Sequence, residues 1–339
     1  MLKGSDSGKI FSEFNAQSWL NQDDITSFPD KVAVGWSGGV DSTALLLALQ
    51  SRGQRVHAWH VDHAWRDTSA DEALHLAEIA GKWGIPFSSA RLTSAPETNR
   101  EAAARHARYA QFECWAGQQG ISTLCLAHHR DDQAETVCMR LLQGAGAGGC
   151  RGMQRQRMLG TLRIVRPLLH VPGLELRLAL QRTGIKWLED PSNSDISIWR
   201  NRIRHRLFPA IRQADMLPEE LFLRWQQQAE QLTNRLDTAA NMVMNSGNTN
   251  ESKNPEEMFQ VSLRWQSWVA CGSAVRARVL QKMMARLLGS GVTPGRRHIL
   301  LAEKWTNQNG RGGLDLSRCR LQRRRAYLHL EPVRAGFAQ

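Results

Sequence analysis

The sequence predicts an α/β protein: a mostly parallel sheet with helices on both faces, followed by a mainly helical second region. Two observations support this. Short apolar segments typical of strands alternate with longer helical segments from residue 31 to residue 142. Beyond residue 217 the apolar spacing becomes helical. The length of 339 residues suits about two domains.

The elements of the first half follow in order along the chain. The predicted strands are 31–36 (KVAVGW), 55–61 (RVHAWHV), 86–92 and 123–127 (TLCLA), and the predicted helices are 43–52, 71–83, 99–119 and 131–142. Ligands bind at the carboxyl ends of the strands in parallel sheets of this kind. The loops after Trp36, Val61 and Ala127 are therefore the ones expected to carry function.

The second half shows helical spacing over 217–244, a polar stretch over 245–255 (NSGNTNESKNP) typical of a linker, and a second helical region up to 288. Residues 310–330 alternate apolar and basic side chains, which indicates a short hairpin. We therefore expect an N-terminal extension over 1–28, a catalytic domain over 29–214, and a mainly helical domain over 215–339 that ends in the hairpin.

Charge is distributed unevenly. Residues 1–150 hold 13 basic and 17 acidic side chains, whereas residues 151–339 hold 31 basic and 15 acidic ones. This split suggests a catalytic head joined to a polyanion-binding tail, although a merely basic soluble protein is the alternative. The longest aliphatic run, 44–49, is too short to span a bilayer. The six cysteines form no CxxC pair, which favours reduced thiols in the cytoplasm and argues against a zinc or iron–sulfur site.

The loop Ser37-Gly38-Gly39-Val40-Asp41-Ser42 lies between a predicted strand and a predicted helix. The helix N-terminus attracts an anion, and both glycines are expected to adopt positive φ and let the backbone approach a phosphate. Asp41 beside a phosphate calls for a bridging cation, for which Mg²⁺ is suited. The alternative is a simple strand–helix turn with a serine cap. The Lys-Ser/Thr ending of a Walker A loop is absent.

An acidic cluster follows the fourth strand. His128, His129, Asp131, Asp132 and Glu135 open a helix, and the spacing places Asp131 and Glu135 on one face. Such acids can hold Mg²⁺ on phosphates or bind the amine of an amino acid. The alternative is an acidic first turn that only caps the helix.

Two arginine clusters occur in the basic half. In the first cluster, Arg200 and Arg204 share one helix face while Arg202 and Arg206 share another, so that one face can contact phosphates and the other can pair with the sheet domain. A solvated charged helix is the alternative. The second cluster, a candidate for RNA backbone contacts, comprises Arg318, Arg320, Arg323, Arg324 and Arg325.

The loop SGGVDS resembles the pyrophosphate loop of the N-type ATP pyrophosphatases, the PP-loop superfamily. Four further segments resemble the tRNA(Ile)-lysidine synthetase family: HVDHAWR (60–66), NREAAARHARY (99–109), and the longer segments 126–153 and 189–211. Ala64 stands where that family usually has glycine. The resemblance covers about residues 30–212 and implies a Rossmann-like PP-loop domain.

The resemblance also implies roles for individual residues. The expected ATP-binding residues are Ser37, Gly38, Gly39, Val40, Asp41, Ser42, Asp62, His63 and Arg105. The expected catalytic or lysine-binding residues are Asp131, Asp132 and Glu135, and Asp41 and Asp132 are expected to hold Mg²⁺ through phosphates. The expected contacts to tRNA or its target base are Asn193, Arg200, Asn201, Arg204, Arg323, Arg324 and Arg325.

The activity implied by the resemblance is ligation of L-lysine to the C2 carbon of the wobble cytidine of a CAU-anticodon tRNA(Ile). It uses ATP, proceeds through an adenylated cytidine, releases AMP and pyrophosphate, and changes the codon read from AUG to AUA. The setting is the cytoplasm, and a homodimer is compatible with the family. A tRNA thiolase commonly needs paired cysteines, a small-molecule amide synthetase would not need a basic second half, and the intact motifs argue against an inactive RNA-binding relative.

Overall fold

The computed structural model describes residues 14, 18–20, 26–62, 69–92, 100–246, 260–289, 292, 294–316 and 318–333. The chain divides into two compact units between Gln227 and Gln228. The domain boundary at 214/215 that the sequence suggested stays a prediction. No helix in the described part of the chain is long and apolar enough to cross a membrane.

A six-stranded, mostly parallel sheet forms the centre of the first unit, which confirms the predicted fold class. The strand order is β3-β2-β1-β4-β6-β5, and only the pair of β5 with β6 at one edge is antiparallel. The strands are β1 (Lys31–Gly35), β2 (Arg55–Asp62), β3 (Phe87–Arg91), β4 (Thr123–Cys125), β5 (Gln156–Leu159) and β6 (Leu162–Val165).

Helices connect these strands and continue beyond them. They are α1 (Val40–Ser51), α2 (Ser69–Trp83), α3 (Arg100–Gln119), α4 (Arg130–Leu142), α5 (Ala147–Cys150) and α6 (Gly173–Thr183). A 3-10 helix (Pro191–Ser194) precedes α7 (Trp199–Arg202), a π-helical turn (Ile203–Leu207), α8 (Phe208–Gln213) and the long helix α9 (Pro218–Ser246). The bounds in the first half agree with the sequence prediction to within about three residues.

The sheet is buried on both faces because side chains of its central strand alternate between two cores. Val32 and Val34 of β1 join one core, which also contains all of the apolar residues 44–49 of α1. Ala33 points to the opposite core, where it meets Trp59 and aromatic residues of α3. Phe14, Trp19 and Leu20 of the predicted N-terminal extension are buried in the first core. The loops that leave the carboxyl ends of β1 and β4 are thereby fixed on a rigid support.

The second unit combines helices with an antiparallel sheet of order β7-β10-β9-β8. The elements after α9 are β7 (Val261–Arg264), α10 (Trp265–Ala270), α11 (Ser273–Leu288), α12 (Arg296–Asn307), β8 (Gly313–Leu316), β9 (Cys319–Arg324) and β10 (Tyr327–Pro332). The hairpin expected over 310–330 is real but belongs to this larger sheet, because β7 pairs with its last strand. The predicted linker 245–255 lies almost entirely outside the described residues.

Candidate active site

The loop between β1 and α1 is held in shape by its own polar groups. The Ser42 hydroxyl donates to the Gly39 carbonyl (3.1 Å), accepts from the Ser37 N–H (3.2 Å) and lies 3.1 Å from the Ser37 hydroxyl. Gly39 occupies the N-cap position of α1 and Asp41 lies in the first helical turn. Backbone N–H groups and hydroxyls therefore converge at the positive end of a helix, an arrangement suited to phosphate oxygens.

Only the first of the two glycines adopts the left-handed conformation. Gly38 has a φ of +80°, and a Cβ atom there would lie 2.7 Å from Leu76 and 2.8 Å from Leu188. The Gly38 carbonyl also accepts a hydrogen bond from the Leu188 N–H at 2.9 Å. Gly39 has a φ of −72°, so the expectation of positive φ at both glycines is wrong for Gly39. Gly39 instead leaves the cap position without a side chain.

A cavity of about 590 Å³ opens on one side of this loop, at the carboxyl ends of β1, β2 and β4. Asp41 and Asp62 line it together with Arg108, His128 and Asp132. The cavity therefore joins the phosphate-type loop to both acidic and basic side chains. We refer to it as the first cavity.

A second cavity of about 590 Å³ adjoins the other side of the loop. Its walls come from residues 187–191, Arg177 and Asn193, and it shares Asp41 and Asp190 with the first cavity. The loop thus forms a common wall between two spaces, each large enough for a small substrate.

His129 stands at the centre of the acidic cluster. It caps α4: its ring Nδ1 accepts from the Asp131 N–H (3.2 Å), and the backbone N–H of His129 donates to the Asp132 carboxylate (3.0 Å). Its Nε2 lies 3.6 Å from carboxylate oxygens of both Asp41 and Asp132. The helix-capping alternative is therefore correct for Asp132, and the same carboxylate also faces the site.

The carboxylates around His129 control its charge. Burial by itself would lower the pKa of His129, but Asp132, Asp41 and Asp131 outweigh burial and raise that pKa to about 9. The capping contact belongs to the neutral ring. When Nδ1 is protonated it can no longer accept from the Asp131 N–H, and it instead faces the Asp131 carboxylate, whose nearest oxygen lies 3.8 Å away. The ring therefore acts as a positive charge among the acids as long as no other cation replaces it.

Glu135 is buried and carries two arginines. Its oxygens accept from the Nε atoms of Arg200 and Arg204 at 2.6 Å each, and Arg204 adds a second contact at 3.0 Å. Arg200 also donates to Asp132 at 2.7 Å. The pKa of Asp132 is lowered, because His129 and Arg200 outweigh the effect of burial. The predicted shared face of the two arginines is confirmed, and this face pairs with acids of the sheet domain.

The predicted lysine-binding acids differ in availability. Both oxygens of Glu135 are occupied by guanidinium groups, and its side chain is only 2% exposed. Asp131 is 34% exposed and accepts one backbone hydrogen bond, from Gly173 at 3.2 Å. Asp131 is thus the acid of this cluster with most room for a substrate amine, whereas Glu135 positions the arginines.

The segment after residue 189 is tied to α7 by the amide side chain of Asn201. Asn201 is buried and donates to the carbonyls of Ser192 (2.7 Å) and Asp195 (2.9 Å). Asn193 is exposed, lines the second cavity, and its carbonyl lies 2.8 Å from the His205 ring nitrogen. Asn201 therefore holds the segment in place, while the side chain of Asn193 remains open to a substrate.

Of the three remaining predicted ATP-binding residues, Asp62 is the one that the structure places in the lining of the first cavity. Asp62 lines the cavity at the end of β2 and lies 3.6 Å from Arg91. Arg105 is exposed on α3 and directs its guanidinium group at the Tyr109 hydroxyl (3.4 Å). His63 lies outside the described residues. The roles of all three in ATP binding stay predictions.

The arginines predicted to contact RNA in the second unit lie at the turn between β9 and β10. Arg323 donates to Asn309 (2.6 and 2.8 Å), and Arg324 forms an ion pair with Glu331 (2.7 Å). Arg325 is exposed in the two-residue turn and has a φ of +54°. Arg325 is therefore the member of this group whose charge is presented at a hairpin tip.

Sequence reasoning missed two residues that shape the site. A Cβ at Gly173 would lie 2.9 Å from both Asp131 and His129, so glycine allows α6 to approach the acidic cluster. Leu188 holds Gly38 through its backbone N–H. Neither residue carries a chemical group that a motif search would select, and only the folded chain brings them to the site.

Comparison with known proteins supplies further findings. A family model described as PP-loop domain matches residues 12–211. The tRNA(Ile)-lysidine synthase of Pseudomonas syringae pv. tomato is 40% identical over 183 residues, which cover 52% of this chain and 41% of that protein. The protein of the same name from Chlamydia pneumoniae is 41% identical over 175 residues, covering 51% of this chain and 55% of the relative.

The corresponding Polaromonas naphthalenivorans protein is 38% identical over 218 residues and covers 63% of this chain and 62% of its own length. The matched chain thus spans between 41% and 62% of these relatives. Among solved structures, the U34-tRNA thiolase NcsA from Methanococcus maripaludis aligns with a TM-score of 0.52 at 16% identity, over 67% of this chain and 78% of that one. At this identity the structural likeness concerns the fold alone.

Proposed function

Because the chain belongs to the PP-loop domain family, whose model matches residues 12–211, we propose that it joins L-lysine to a tRNA base at the expense of ATP. The base is the wobble cytidine of a CAU-anticodon tRNA(Ile), and the product is lysidine. The observation that carries this proposal is the phosphate-type loop Ser37–Ser42, which opens onto a cavity beside the His129 carboxylate cluster. Relatives named tRNA(Ile)-lysidine synthase support the choice of substrate.

In the first step the carbonyl oxygen of the cytidine attacks the α-phosphorus of ATP, and pyrophosphate leaves as the bond to the bridging oxygen breaks. The loop stabilises the charge that develops on the pyrophosphate, through N–H groups at the start of α1 and the hydroxyls of Ser37 and Ser42. The adenylated base then has an electrophilic C2 carbon. This division of labour needs only a rigid, preorganised donor set on the side of the leaving group.

In the second step the uncharged side-chain amine of lysine attacks C2. A C–N bond forms and AMP leaves with the former carbonyl oxygen. We assign binding of the amine to Asp131 and Asp132, and its proton to the more exposed Asp131. Glu135 holds Arg200 and Arg204 in place rather than binding lysine, because its oxygens are already paired.

Mg²⁺ fits the oxygen donors present. Asp41 and Asp132 each place a carboxylate oxygen 3.6 Å from the same ring nitrogen, so both oxygens face one small space. No group of three or more ligating side chains suited to a metal occurs in the described part of the chain. Mg²⁺ commonly takes only one or two carboxylates together with substrate phosphates. When bound, the ion would neutralise charge on the phosphate oxygens.

The basic second unit would contact the RNA. The wobble base must leave the anticodon stack to reach the first cavity, so we expect recognition of a loop rather than a duplex. Arg325, exposed at the β9–β10 turn, is the best-placed candidate for a phosphate contact. All six cysteines are unpaired, which suits a reducing cytoplasm. A homodimer remains part of the proposal, to be checked by the mass of the protein in solution.

One assay tests the function directly. The protein is incubated with ATP, labelled lysine and a tRNA(Ile) transcript that has cytidine at the wobble position. A transcript with uridine there is the matched control. We expect label only in the cytidine transcript, together with one AMP for each lysine attached. Absence of label, or equal label in both transcripts, would contradict the proposal.

A further inference from the structure

Four arginines gather around one buried tyrosine of α3. Tyr109 is 7% exposed, and the guanidinium carbons of Arg105, Arg108 and Arg157 lie 5.1, 5.8 and 4.8 Å from its ring centre. Arg166, which is 2% exposed, also interacts with the phenolic oxygen. We call these five residues the Tyr109 cluster. Two of its arginines come from β5 and from the residue after β6, far along the chain from α3.

The cluster concentrates positive charge around a single phenol. Among the described residues, none of the four guanidinium groups lies within 4.0 Å of an acidic oxygen. Burial lowers the pKa of Arg108 and of Arg166, and neighbouring arginines lower both further. A phenol supplies a hydrogen-bond acceptor but not a full counter-charge. Among the described residues, the phenol of Tyr109 is the group that offsets the repulsion between the arginines, and the arginines in turn outweigh burial and lower the pKa of Tyr109.

Two buried nitrogen atoms, one within the cluster and one on His128, have no hydrogen-bond partner among the described residues. In the described part of the chain, neither the Arg166 Nε nor the His128 Nδ1 has a hydrogen-bond partner. The Nη1 atom of the same arginine donates to the Gln154 carbonyl (2.7 Å). Burial lowers the pKa of His128 to about 3, against the pull of Asp132, so its ring stays neutral. Buried polar groups without protein partners are rare, and such atoms are available to a water molecule, an ion or a ligand.

The cluster is connected to the first cavity. Arg108 and His128 both line the cavity, and the charges of Arg166 and Arg105 act on His128. A ligand that occupies the cavity therefore contacts Arg108 and His128 directly and lies in the field of the arginines behind them. Arg108 lines the cavity, and the other guanidinium groups gather at the Tyr109 side chain next to it. A compact, multiply charged group of oxygen atoms, as in a phosphate, matches this concentration of positive charge.

We propose that the Tyr109 cluster is a subsite for a phosphate group at the edge of the first cavity, with Tyr109 as the acceptor that holds the arginines in position. The inference rests on the proposed function, because the phosphate belongs either to ATP or to a phosphodiester of the target RNA. Arg157 and Arg166 are new to the site, since neither lies in the phosphate-type loop nor in the acidic cluster.

The test compares Arg157→Gln with Arg163→Gln. Arg163 lies on the neighbouring strand β6, where its guanidinium group packs on Phe28 (5.8 Å) and donates to the Ser27 carbonyl (2.8 Å). Both changes remove one charge from a half-buried arginine at the same sheet edge, but only the first touches the cluster. Binding of Mg²⁺-ATP is measured by calorimetry, and binding of the tRNA transcript is measured over a series of KCl concentrations.

Two outcomes support the subsite and identify the source of the phosphate. If ATP supplies it, Arg157→Gln weakens ATP binding by about tenfold and leaves the salt slope of RNA binding unchanged. If RNA supplies it, ATP binding is unchanged, and the slope of log K against log salt falls by about one. If Arg157→Gln matches Arg163→Gln in both measurements, the proposal is overturned.

Arg105→Gln repeats the test on an exposed residue of α3, where folding is not at risk, and it is expected to change the same measurement as Arg157→Gln. Far-UV circular dichroism of each variant checks the fold. Failure of the wild-type protein to attach lysine would refute the proposed function but not the subsite, because ATP binding is read independently of ligation.

Discussion

Replacing the buried carboxylate of Glu135 by an amide tests the ion-pair cluster that joins α4 to α7. Glu135→Gln keeps the shape of the side chain but removes the negative charge that accepts from Arg200 and Arg204 at 2.6 Å. Loss of one partner from a buried ion pair costs about 3–5 kcal/mol. Asp132 still binds Arg200 at 2.7 Å, and the arginines are about one-third exposed, so we expect a loss of about 2–3 kcal/mol.

The assay must report on this region, because the two compact units need not unfold together. Hydrogen exchange of peptides from α4 and from residues 199–213, with and without urea, measures the local opening free energy. The control is Glu220→Gln, which removes an exposed i,i+4 partner of Arg224 at 3.4 Å and should cost no more than about 0.5 kcal/mol. The reasoning is refuted if Glu135→Gln and Glu220→Gln have equal effects, or if Glu135→Gln and Arg204→Met act additively when combined.

Four further outcomes are expected. Gly38→Ala should destabilise the first unit by at least about 1 kcal/mol in urea unfolding, because the φ of Gly38 is +80° and a Cβ there would contact two leucines. Gly39→Ala is the control: the nearest atom to a Cβ at Gly39 lies 3.4 Å away, so the loss of stability should be much smaller. Equal losses in the two variants would contradict this account. Asp41→Ala should abolish AMP formation, and unchanged turnover would remove the loop from the mechanism. Arg325 has a φ of +54°, which glycine adopts without strain. Arg325→Gly should therefore raise the stability of the second unit by about 0.5–1 kcal/mol in thermal unfolding, while the lost charge weakens tRNA binding. A lower melting temperature would show that this φ carries no strain. Asp237 is paired with an arginine and a lysine that lower its pKa to about 2. Its contribution to the free energy of unfolding, about 1–2 kcal/mol, should be present above pH 4 and lost as the pH falls towards 2. The stability of Asp237→Asn should then differ from that of the wild type at pH 7 but not near pH 2, and a difference that stays constant with pH would argue against the ion pair.

Local patterns predict the elements that position the site. Val32, Ala33 and Val34 are all apolar, so both faces of this strand are suited to burial, and the apolar run of α1 supplies a cover for one of them. These two patterns indicate a sheet that is buried on both sides. The spacing of Arg200 and Arg204 likewise predicts their common face. Their acidic partner lies 65 residues earlier along the chain, and pairing over that distance is decided by tertiary packing rather than by spacing.

Other features carry a weaker local signal. The strands β5 and β6 flank a two-residue turn at Gly160, whose φ of +52° is typical of a tight hairpin. That hairpin brings Arg157 to Tyr109, so the Tyr109 cluster depends on a turn that one glycine marks in the sequence. In the second unit the short strand β7 lies in a region where the spacing predicts helix, because four residues are too few to establish an alternating pattern.

The hydrogen bond from the Leu188 N–H to the Gly38 carbonyl has a consequence for fragments of this protein. A piece of the chain that ended before residue 188 would retain the complete SGGVDS motif, yet it would lose both the backbone donor and the side chain that close the loop from the far end. The motif is continuous in sequence, but its working shape is assembled from two places about 150 residues apart. The smallest unit able to present that loop correctly therefore extends at least to the segment that follows α6.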